Sequence, residues 1–327
     1  MENFSALTHE NKRFIIDRYY PHNTKYYRNY LKLIFKDIFI KLLFYKKNVV
    51  KPKKHYLSIL SIFKNEAPFL KEFIEYYLLM GVDHFYLYNN NSEDNYMDIL
   101  EPYISKGIVT FHDWPLIPGQ DAMYEHFYRE HRHETNWVSF LDLDEFICPI
   151  KDLNIPEWLR KHDKYPEVMI YWKMFGTNGK MDHDYDRLIV EQYTNSWPKL
   201  DSIGKIIWNT DYDIVEFFTG LMHGFKVWYK GYRIPPINQF GYFVDYGIHR
   251  YSNKELDIQC NHYWSKSYEN YKNKHKRGDA SFAKSWKTFD KFLLHENHNT
   301  SSDFSIFRFL TQLKLKIHGN YPSNIYE

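Results

Sequence analysis

Between residues 56 and 148, short β-forming runs alternate with helical segments in a regular order. Four runs have the length and composition of strands: "YLSILSIF" (56–63), "VDHFYLYNN" (82–90), "IVTFHDW" (108–114) and "WVSFLDLDEF" (137–146). The segments between them are predicted helices; the first has Pro68 in its first turn and Gly81 at its end. Because neighbouring parallel strands need a long crossover, usually a helix, this alternation predicts an α/β fold with a parallel sheet.

The rest of the chain divides around this core. Residues 1–52 are a predicted helical N-terminal extension, which Pro52 in the linker "KPKKH" separates from the domain. Residues 53–295 are predicted to form a single domain, because no internal repeat or low-complexity tract interrupts them. Residues 296–327 are a predicted C-terminal tail, with a helix at "FSIFRFLTQLKLKI".

Three carboxylates follow the fourth apolar run within four residues: Asp142, Asp144 and Glu145. A buried strand does not end in unpaired charges, so these acids are expected at the carboxyl edge of the sheet, where open α/β sheets bind ligands. On an extended chain, Asp142 and Asp144 point the same way, and a divalent cation with oxygen ligands, Mg²⁺ or Mn²⁺, would relieve their repulsion. Taken alone, a D-x-D triplet favours a solvated acidic turn, because such turns are common after strands.

The neighbouring strand ends are polar as well. The first βα loop contains Lys64, Asn65 and Glu66, and Asn90 follows the second strand. Such side chains suit a base and a ribose, although Asn is also an ordinary turn residue. The chain has neither a P-loop nor a G-x-G-x-x-G run after its first strand, which disfavours binding of a dinucleotide.

The composition bounds the class of protein. Aromatic residues make up 20% of the chain, which is far too many for a disordered protein, and a net charge of +2 gives no support for bulk binding of nucleic acid. The two cysteines, Cys148 and Cys260, could pair only if the fold brings them together. Nothing in the sequence indicates a disulfide framework or a cysteine-based metal site, so a reducing compartment is the simpler expectation. No signal peptide is evident in the first residues.

Residues 30–47, "YLKLIFKDIFIKLLFYKK", combine apolar residues with five lysines and a single acid, Asp37. This composition is typical of a basic amphipathic helix. It favours two positions about equally, one in the interface of an anionic membrane and one packed on the domain with its lysines in water.

Several of these stretches together resemble glycosyltransferases of family 92 and their bacterial relatives, close to the large family 2. The resemblance is carried by "SIFKNEAPFLKEFIEYYLLMGVDHFYLYNNNSED", "ILEPYISKGIVTFHDWP", "WVSFLDLDEF", "FGTNG" and "NHYWSKSYENYKNKHKRGDA". It implies a GT-A fold, with a Rossmann-like, mostly parallel sheet flanked by helices. It also implies a nucleotide-binding half over 56–148 and an acceptor half over 149–295. A nucleotide-sugar donor, a divalent metal and inversion at the anomeric carbon follow from the same resemblance.

The resemblance assigns roles to particular residues. Asp144, Asp142 and His262 match metal-binding positions, Asp142 also matches a ribose contact, and Glu145 supports the aspartates. The donor-binding positions are Lys64, Asn65, Glu66, Asn90, Gln120, Asp142, Lys274 and Arg277. Lys274 and Arg277 lie three apart on a predicted helix, so they share a face and could hold a diphosphate.

Inversion requires a general base, which takes a proton from the acceptor hydroxyl. In related galactosyltransferases, acids follow a glycine-containing acceptor loop, and here Asp182 and Asp184 follow "FGTNG". Asp211, Asp213 and Glu216 are the rival candidates.

The predicted activity is metal-dependent, inverting transfer of a hexose, with galactose a candidate, from a UDP-linked donor. The predicted acceptor is a surface glycan or glycolipid such as lipooligosaccharide or capsule. The predicted location is the cytoplasm, peripheral to the inner face of a bacterial membrane. One alternative is a sugar nucleotidyltransferase, although its usual glycine-rich signature is replaced by "KNEAP". Another is a non-catalytic carbohydrate-binding relative, against which the intact D-x-D argues.

Overall fold

A computed structural model describes residues 24–44, 51–216, 226–244, 250, 255–278 and 288–319. Its centre is a nine-stranded sheet, formed by β1 His55–Phe63, β2 His84–Asn89, β3 Val109–Asp113, β4 Thr135–Phe140, β5 Glu145–Pro149, β6 Glu167–Met174, β8 Gly204–Asn209, β12 Ile237–Asn238 and β13 Ile258–His262. These strands lie in the order β3-β2-β1-β4-β8-β6-β13-β5, with β12 beside β6. Two small sheets add β7 Asn195–Ser196 with β14 Ser301–Ser302, and β9 Ile214–Glu216 with β10 Lys226–Tyr229 and β11 Tyr232–Ile234.

The α-helices of the described residues are α1 Thr24–Leu43, α2 Ala67–Leu79, α3 Tyr96–Ser105, α4 Gln120–Glu130, α5 Ile155–Leu159, α6 Ile189–Gln192, α7 Tyr268–Arg277, α8 Phe289–Glu296 and α9 Leu310–Ile317. Helices α2, α3 and α4 connect β1, β2, β3 and β4, and β1 pairs in parallel with both β2 and β4 while β2 pairs in parallel with β3. The predicted fold class, a mostly parallel sheet flanked by helices, is therefore confirmed.

The sheet changes direction at β8, which is antiparallel to both β4 and β6. Gly204 opens this strand, and a Cβ atom there would lie 1.9 Å from the carbonyl oxygen of Ile170. The close approach of β8 to β6 therefore depends on a residue without a side chain.

The fourth strand predicted from the sequence extends further than the strand in the structure. β4 ends at Phe140, the chain turns, and Glu145 begins a separate strand that is antiparallel to β13. The prediction that Asp142 and Asp144 lie on an extended chain is wrong for the same reason, because both aspartates belong to this connection. The apolar character of Leu143 and Phe146, both buried, hides the break in the sequence.

Helix α1 lies on the domain through one face. Leu33, Ile40 and Phe44 are buried there, and the buried Asp37 carboxylate pairs with Arg250 Nη2 at 2.7 Å. Residues 45–47 of the predicted basic helix lie outside the described residues. Within the described part of the chain, no helix is both long enough and apolar enough to cross a bilayer.

The C-terminal segment also packs on the domain. A 3-10 turn over Ser305–Phe309 leads into α9, where Leu313 is buried, and α9 contacts α2. Cys148 on β5 and Cys260 on β13 are buried free thiols.

Candidate active site

Helix α7 brings its basic last turn to the carboxyl edge of the sheet. Ser267 caps its N-terminus by accepting a hydrogen bond from the Asn270 backbone amide, which fixes where the helix begins. Lys274 then contacts the Asp144 carboxylate and donates to the Trp264 carbonyl at 2.8 Å. One turn later, Arg277 donates to the Lys64 carbonyl at 2.6 Å and pairs with Glu66. Lys274 and Arg277, which share a helix face, therefore contact residues that follow two different strands, β4 and β1.

A buried lysine on β8 holds the other side of the acidic turn. Lys205 Nζ lies 3.0 Å from Asp142 Oδ2 and 3.1 Å from Glu145 Oε2. Glu145 Oε2 also accepts a hydrogen bond from the Asp142 backbone amide at 3.0 Å. Asp142 and Asp144 are thus neutralised by two separate lysines, and only Asp142 is substantially exposed, with 45% of its side chain accessible.

Electrostatics keep the site charged despite its burial. Burial alone would raise the pKa of Asp144, but Lys274, His262 and Lys266 lower it well below its usual value. Burial would likewise raise the pKa of Glu66, whereas Arg277 and Lys266 bring it down to about 2. Both carboxylates are therefore ionised at neutral pH.

Lys266 forms a second buried ion pair with Glu66, at 3.0 Å, and its ammonium lies 3.7 Å from the centroid of the Phe69 ring. Lys266 directly precedes Ser267, the N-cap residue of α7, and its backbone is left-handed, with a φ of 51°. Glu66 consequently bridges the loop that begins α2 and the segment that begins α7.

His262 is a neutral imidazole beside Asp144, so one of its nitrogens could bind a metal ion. Burial lowers the pKa of His262 to about 4, and its Nε2 lies 3.7 Å from Asp144 Oδ1. Its Nδ1 and Glu145 Oε1 are buried, 3.9 Å apart, and without a hydrogen-bond partner among the described residues. An ionised carboxylate and a neutral imidazole this close fit a divalent ion, which would share Asp144 with Lys274. Asp142 is paired with Lys205, so its carboxylate would become a third metal ligand only after its side chain rotates away from that lysine.

The remaining donor-site candidates lie at the carboxyl ends of β1 and β2 and at the start of α4. Asn65 also has a left-handed backbone, with φ 51°, and its side chain accepts from the Glu93 amide at 2.8 Å. The Asn90 amide donates to the carbonyls of Trp114 and Leu116, both at 2.8 Å, so it shapes the loop after β3. Gln120 begins α4 and donates to the Tyr124 hydroxyl at 2.6 Å.

The candidate bases fall into two groups. Asp182 and Asp184 are exposed on a loop whose backbone joins the start of α7, because Glu269 N donates to Met181 O at 2.9 Å. Asp211 instead pairs with Lys53 at 3.0 Å, and Asp213 pairs with Arg132.

The side chain of Glu216, the fifth candidate base, lies outside the described residues.

Sequence reasoning missed Lys205 and Lys266. Lys266 sits inside the family-like stretch "NHYWSKS", so that motif could have drawn attention to it. Lys205 stands in the strand "GKIIWN", where nothing local shows that its partners are two acids of another strand end.

The chain is similar in sequence to one family of glycosyltransferases. A sequence model of the family described as "Glycosyltransferase family 92" matches residues 53–305. A family 92 protein from Arabidopsis thaliana is 39% identical over 94 residues, which are 28% of this chain and 16% of the relative. One from Ricinus communis is 30% identical over 132 residues, which are 39% of this chain and 24% of the relative. The matched segments thus span about a quarter or less of these curated relatives.

Among solved structures, the Staphylococcus aureus TarS fragment 1–349 aligns with 47% of each chain, at 13% identity and a TM-score of 0.31. A TM-score of this size is too low for a comparison residue by residue.

Proposed function

The chain belongs to glycosyltransferase family 92, and on that basis we propose that it transfers a hexose from a UDP-linked sugar to a glycan acceptor with inversion at the anomeric carbon. The observation that carries this proposal is the convergence of Lys274 and Arg277 on the acidic carboxyl edge of the sheet. Family membership supports glycosyl transfer, and the site supports recognition of a diphosphate.

The cations supply what a departing diphosphate needs. Negative charge develops on the leaving group during glycosyl transfer, and cations fixed in a partly dehydrated site stabilise such charge without reorganising. Lys274 and Arg277 are held in place by the Trp264 and Lys64 carbonyls as well as by acids. In this proposal they exchange part of their contact with Asp144 and Glu66 for the phosphate oxygens of the donor.

Asp144 and His262 would hold Mn²⁺ or Mg²⁺, with Asp142 contributing a further oxygen or contacting the ribose. The ion would supply Lewis-acid stabilisation of the diphosphate when bound. Asn65, Asn90 and the Lys64 side chain would border the nucleoside, and Gln120 would border the far side of the pocket.

The proton of the acceptor hydroxyl would pass to Asp182 or Asp184. Both belong to the loop that joins α7, and Asp184 Oδ1 already accepts the Asp186 amide at 3.1 Å. Asp211 and Asp213 are weaker candidates because each is committed to a cation. Asp182→Asn and Asp184→Asn should each be tested for lost transfer to an acceptor with retained donor binding.

Donor consumption tests the proposal directly. UDP-galactose and a panel of other nucleotide sugars would be incubated with Mn²⁺, Mg²⁺ or EDTA, for the wild type and for Asp144→Asn. Turnover of one donor only with metal, lost in Asp144→Asn and kept in the exposed control Asp186→Asn, would support the proposal. Turnover in EDTA would remove the metal roles of Asp142, Asp144 and His262. No turnover and no nucleotide binding would overturn the activity itself.

We also propose that α1 rests on an anionic membrane at the cytoplasmic face, where a glycolipid or surface-glycan precursor would be the acceptor. Its outward face is apolar, with Phe35 74%, Ile38 65% and Leu42 67% exposed, and Lys32 and Lys36 flank it in solvent. These positions recur at helical spacing, which suits an interfacial helix.

Vesicle sedimentation tests this placement. Phosphatidylglycerol vesicles should bind the wild type, and the double variant Phe35→Ser/Ile38→Ser should lose that binding. Phe304→Ser, which changes an exposed phenylalanine elsewhere, is the control. Equal sedimentation of the wild type and the double variant would contradict the proposal.

A further inference from the structure

Three histidines meet beside β3, the edge strand of the sheet. His112 lies on the edge strand β3, His126 on α4, and His131 directly after α4. One ring nitrogen of each lies within 4.8 Å of the others, and they are the group of metal-ligating side chains that meets this criterion in the described part of the chain. All three rings are half-buried.

The geometry suits one ion between two of the rings. His112 Nε2 and His131 Nε2 are 3.1 Å apart. Two nitrogens bound tetrahedrally to one Zn²⁺ at their usual bond length are separated by about 3.3 Å. The observed separation is therefore close to that of two ligands of the same ion.

A carboxylate fixes the tautomer of His131. Its Nδ1 lies 3.0 Å from Glu134 Oε1, and the Tyr86 hydroxyl donates to Glu134 Oε2 at 2.9 Å. Burial alone would raise the pKa of Glu134, but its hydrogen bonds with His131 and Tyr86 lower the pKa below the usual value, so this group is an acceptor. The proton then resides on His131 Nδ1, which leaves the Nε2 lone pair facing His112. A carboxylate behind a histidine is the usual support of a metal ligand.

The other two rings pack against Tyr88, with ring centroids 4.5 Å away for His112 and 5.7 Å for His126. Burial, with repulsion from His131 and His126, lowers the pKa of His112 to about 4, and burial also lowers the pKa of His126. His126 Nδ1 lies 2.8 Å from the Tyr88 hydroxyl.

We propose that His112, His126 and His131 form a binding site for Zn²⁺, distinct from the Mn²⁺ or Mg²⁺ expected at Asp144 and His262. Three imidazoles without a carboxylate ligand suit Zn²⁺, whereas Mg²⁺ and Mn²⁺ prefer oxygen. The ion would tie the end of α4 to the edge strand β3. The competing interpretation is a metal-free cluster, in which one of the two Nε2 atoms donates to the other.

Zinc titration of the full chain tests the site. After treatment with EDTA and its removal, wild type should take up one Zn²⁺ with a rise in melting temperature, while His126→Gln and His131→Gln should each weaken binding at least about 10-fold. His133→Gln, an exposed neighbour, should bind as the wild type does. Asp144→Asn should also retain this zinc, which separates the test from the proposed transferase site.

Cobalt substitution gives a second measurement that does not depend on stability. Co²⁺ should produce visible absorption of a nitrogen-ligated site in wild type and Asp144→Asn, and the absorption should vanish in the folded His131→Gln variant. Absence of zinc uptake by the wild type, or uptake unchanged in both histidine variants, would overturn the proposal and leave a packed aromatic cluster.

Discussion

Lys205 shows how a single buried charge holds the acidic turn. Its side chain is 1% exposed and lies between Asp142 and Glu145, of which Glu145 is fully buried. Burial lowers the pKa of Lys205, but the two carboxylates raise it above its usual value, so the ammonium is charged. Burial raises the pKa of Glu145 well above its usual value despite this lysine, so removal of Lys205 would leave Asp142 without its cation and the buried Glu145 carboxyl without its contact to the ammonium.

We therefore expect Lys205→Met to reduce the free energy of unfolding by about 1–3 kcal/mol, measured by urea denaturation. Adding Glu145→Gln should change that loss little, because burial raises the pKa of Glu145 and its carboxyl is neutral once the lysine is gone. Lys272→Met, which breaks an exposed pair with Glu269, should leave the free energy of unfolding nearly unchanged. An equal effect of the two lysine variants would contradict this account.

Glu72 predicts a pH dependence of stability. It is buried on α2, accepts the Ile189 and Val190 amides at 2.8 and 3.1 Å, and burial raises its pKa from 4.5 to about 7 despite these bonds. Between pH 4.5 and pH 7 the folded state keeps a proton on Glu72 that the unfolded state has released. Protonated Glu72 therefore contributes about 3 kcal/mol to the free energy of unfolding below pH 4.5, and this contribution is lost as the pH rises through 7.

Glu72→Gln keeps an oxygen acceptor but cannot ionise. Denaturation curves at pH 5 and pH 8 should show a smaller loss of stability in this variant than in the wild type. The exposed Glu101→Gln serves as the control and should follow the wild type. If Glu72→Gln also followed the wild type, the assigned shift would be wrong.

At the scale of elements, the sequence predicts the alternation of strands and helices, because each element has its own periodicity and its own terminal residues. The sequence does not predict which face of α1 packs on the domain, since the apolar residues of α1 cover more than one face. Leu33 and Ile40 are buried on the domain while Phe35 and Ile38 face outward. Asp37, the only acid in the segment, decides the orientation through its buried pair with Arg250.

Asp37→Ala should release α1 from the domain. Its carboxylate also accepts the Phe243 amide at 3.0 Å, so the substitution removes two anchors and leaves the Arg250 guanidinium buried without its acid. We expect a loss of about 3–5 kcal/mol in the free energy of docking and faster hydrogen exchange of the α1 amides. Lys36→Ala, exposed on the same helix, should leave exchange unchanged; protected α1 amides in Asp37→Ala would argue against this anchor.

For the whole molecule, the segment after residue 305 lies beyond the family match yet contributes to the core. Ile306, Phe309 and Leu313 are buried, and Lys314 of α9 pairs with Glu191 at 2.8 Å. The C-terminal segment therefore supports the same helices that flank the site.

Deletion of residues 306–327 should lower the melting temperature, because each of the three buried side chains stabilises the fold by about 1.5–3 kcal/mol. A shorter deletion, of residues 320–327, is the control and should melt close to wild type. Equal melting temperatures for the two deletions would show that α9 is not part of the cooperative core.

The sequence by itself determined the α/β class, the approximate positions of the first four strands, the presence of acids at the end of the fourth, and the family, but not the turn in which those acids lie. Each of these is a local pattern of period, composition or motif, and local patterns survive without knowledge of the partners. Only the tertiary structure decided which cation meets which acid. Lys205 lies 63 positions from Asp142, and Lys266 lies 200 positions from Glu66. No periodicity spans such separations, so these pairs, and the meeting of His112 with His131, follow from the packing of the sheet alone.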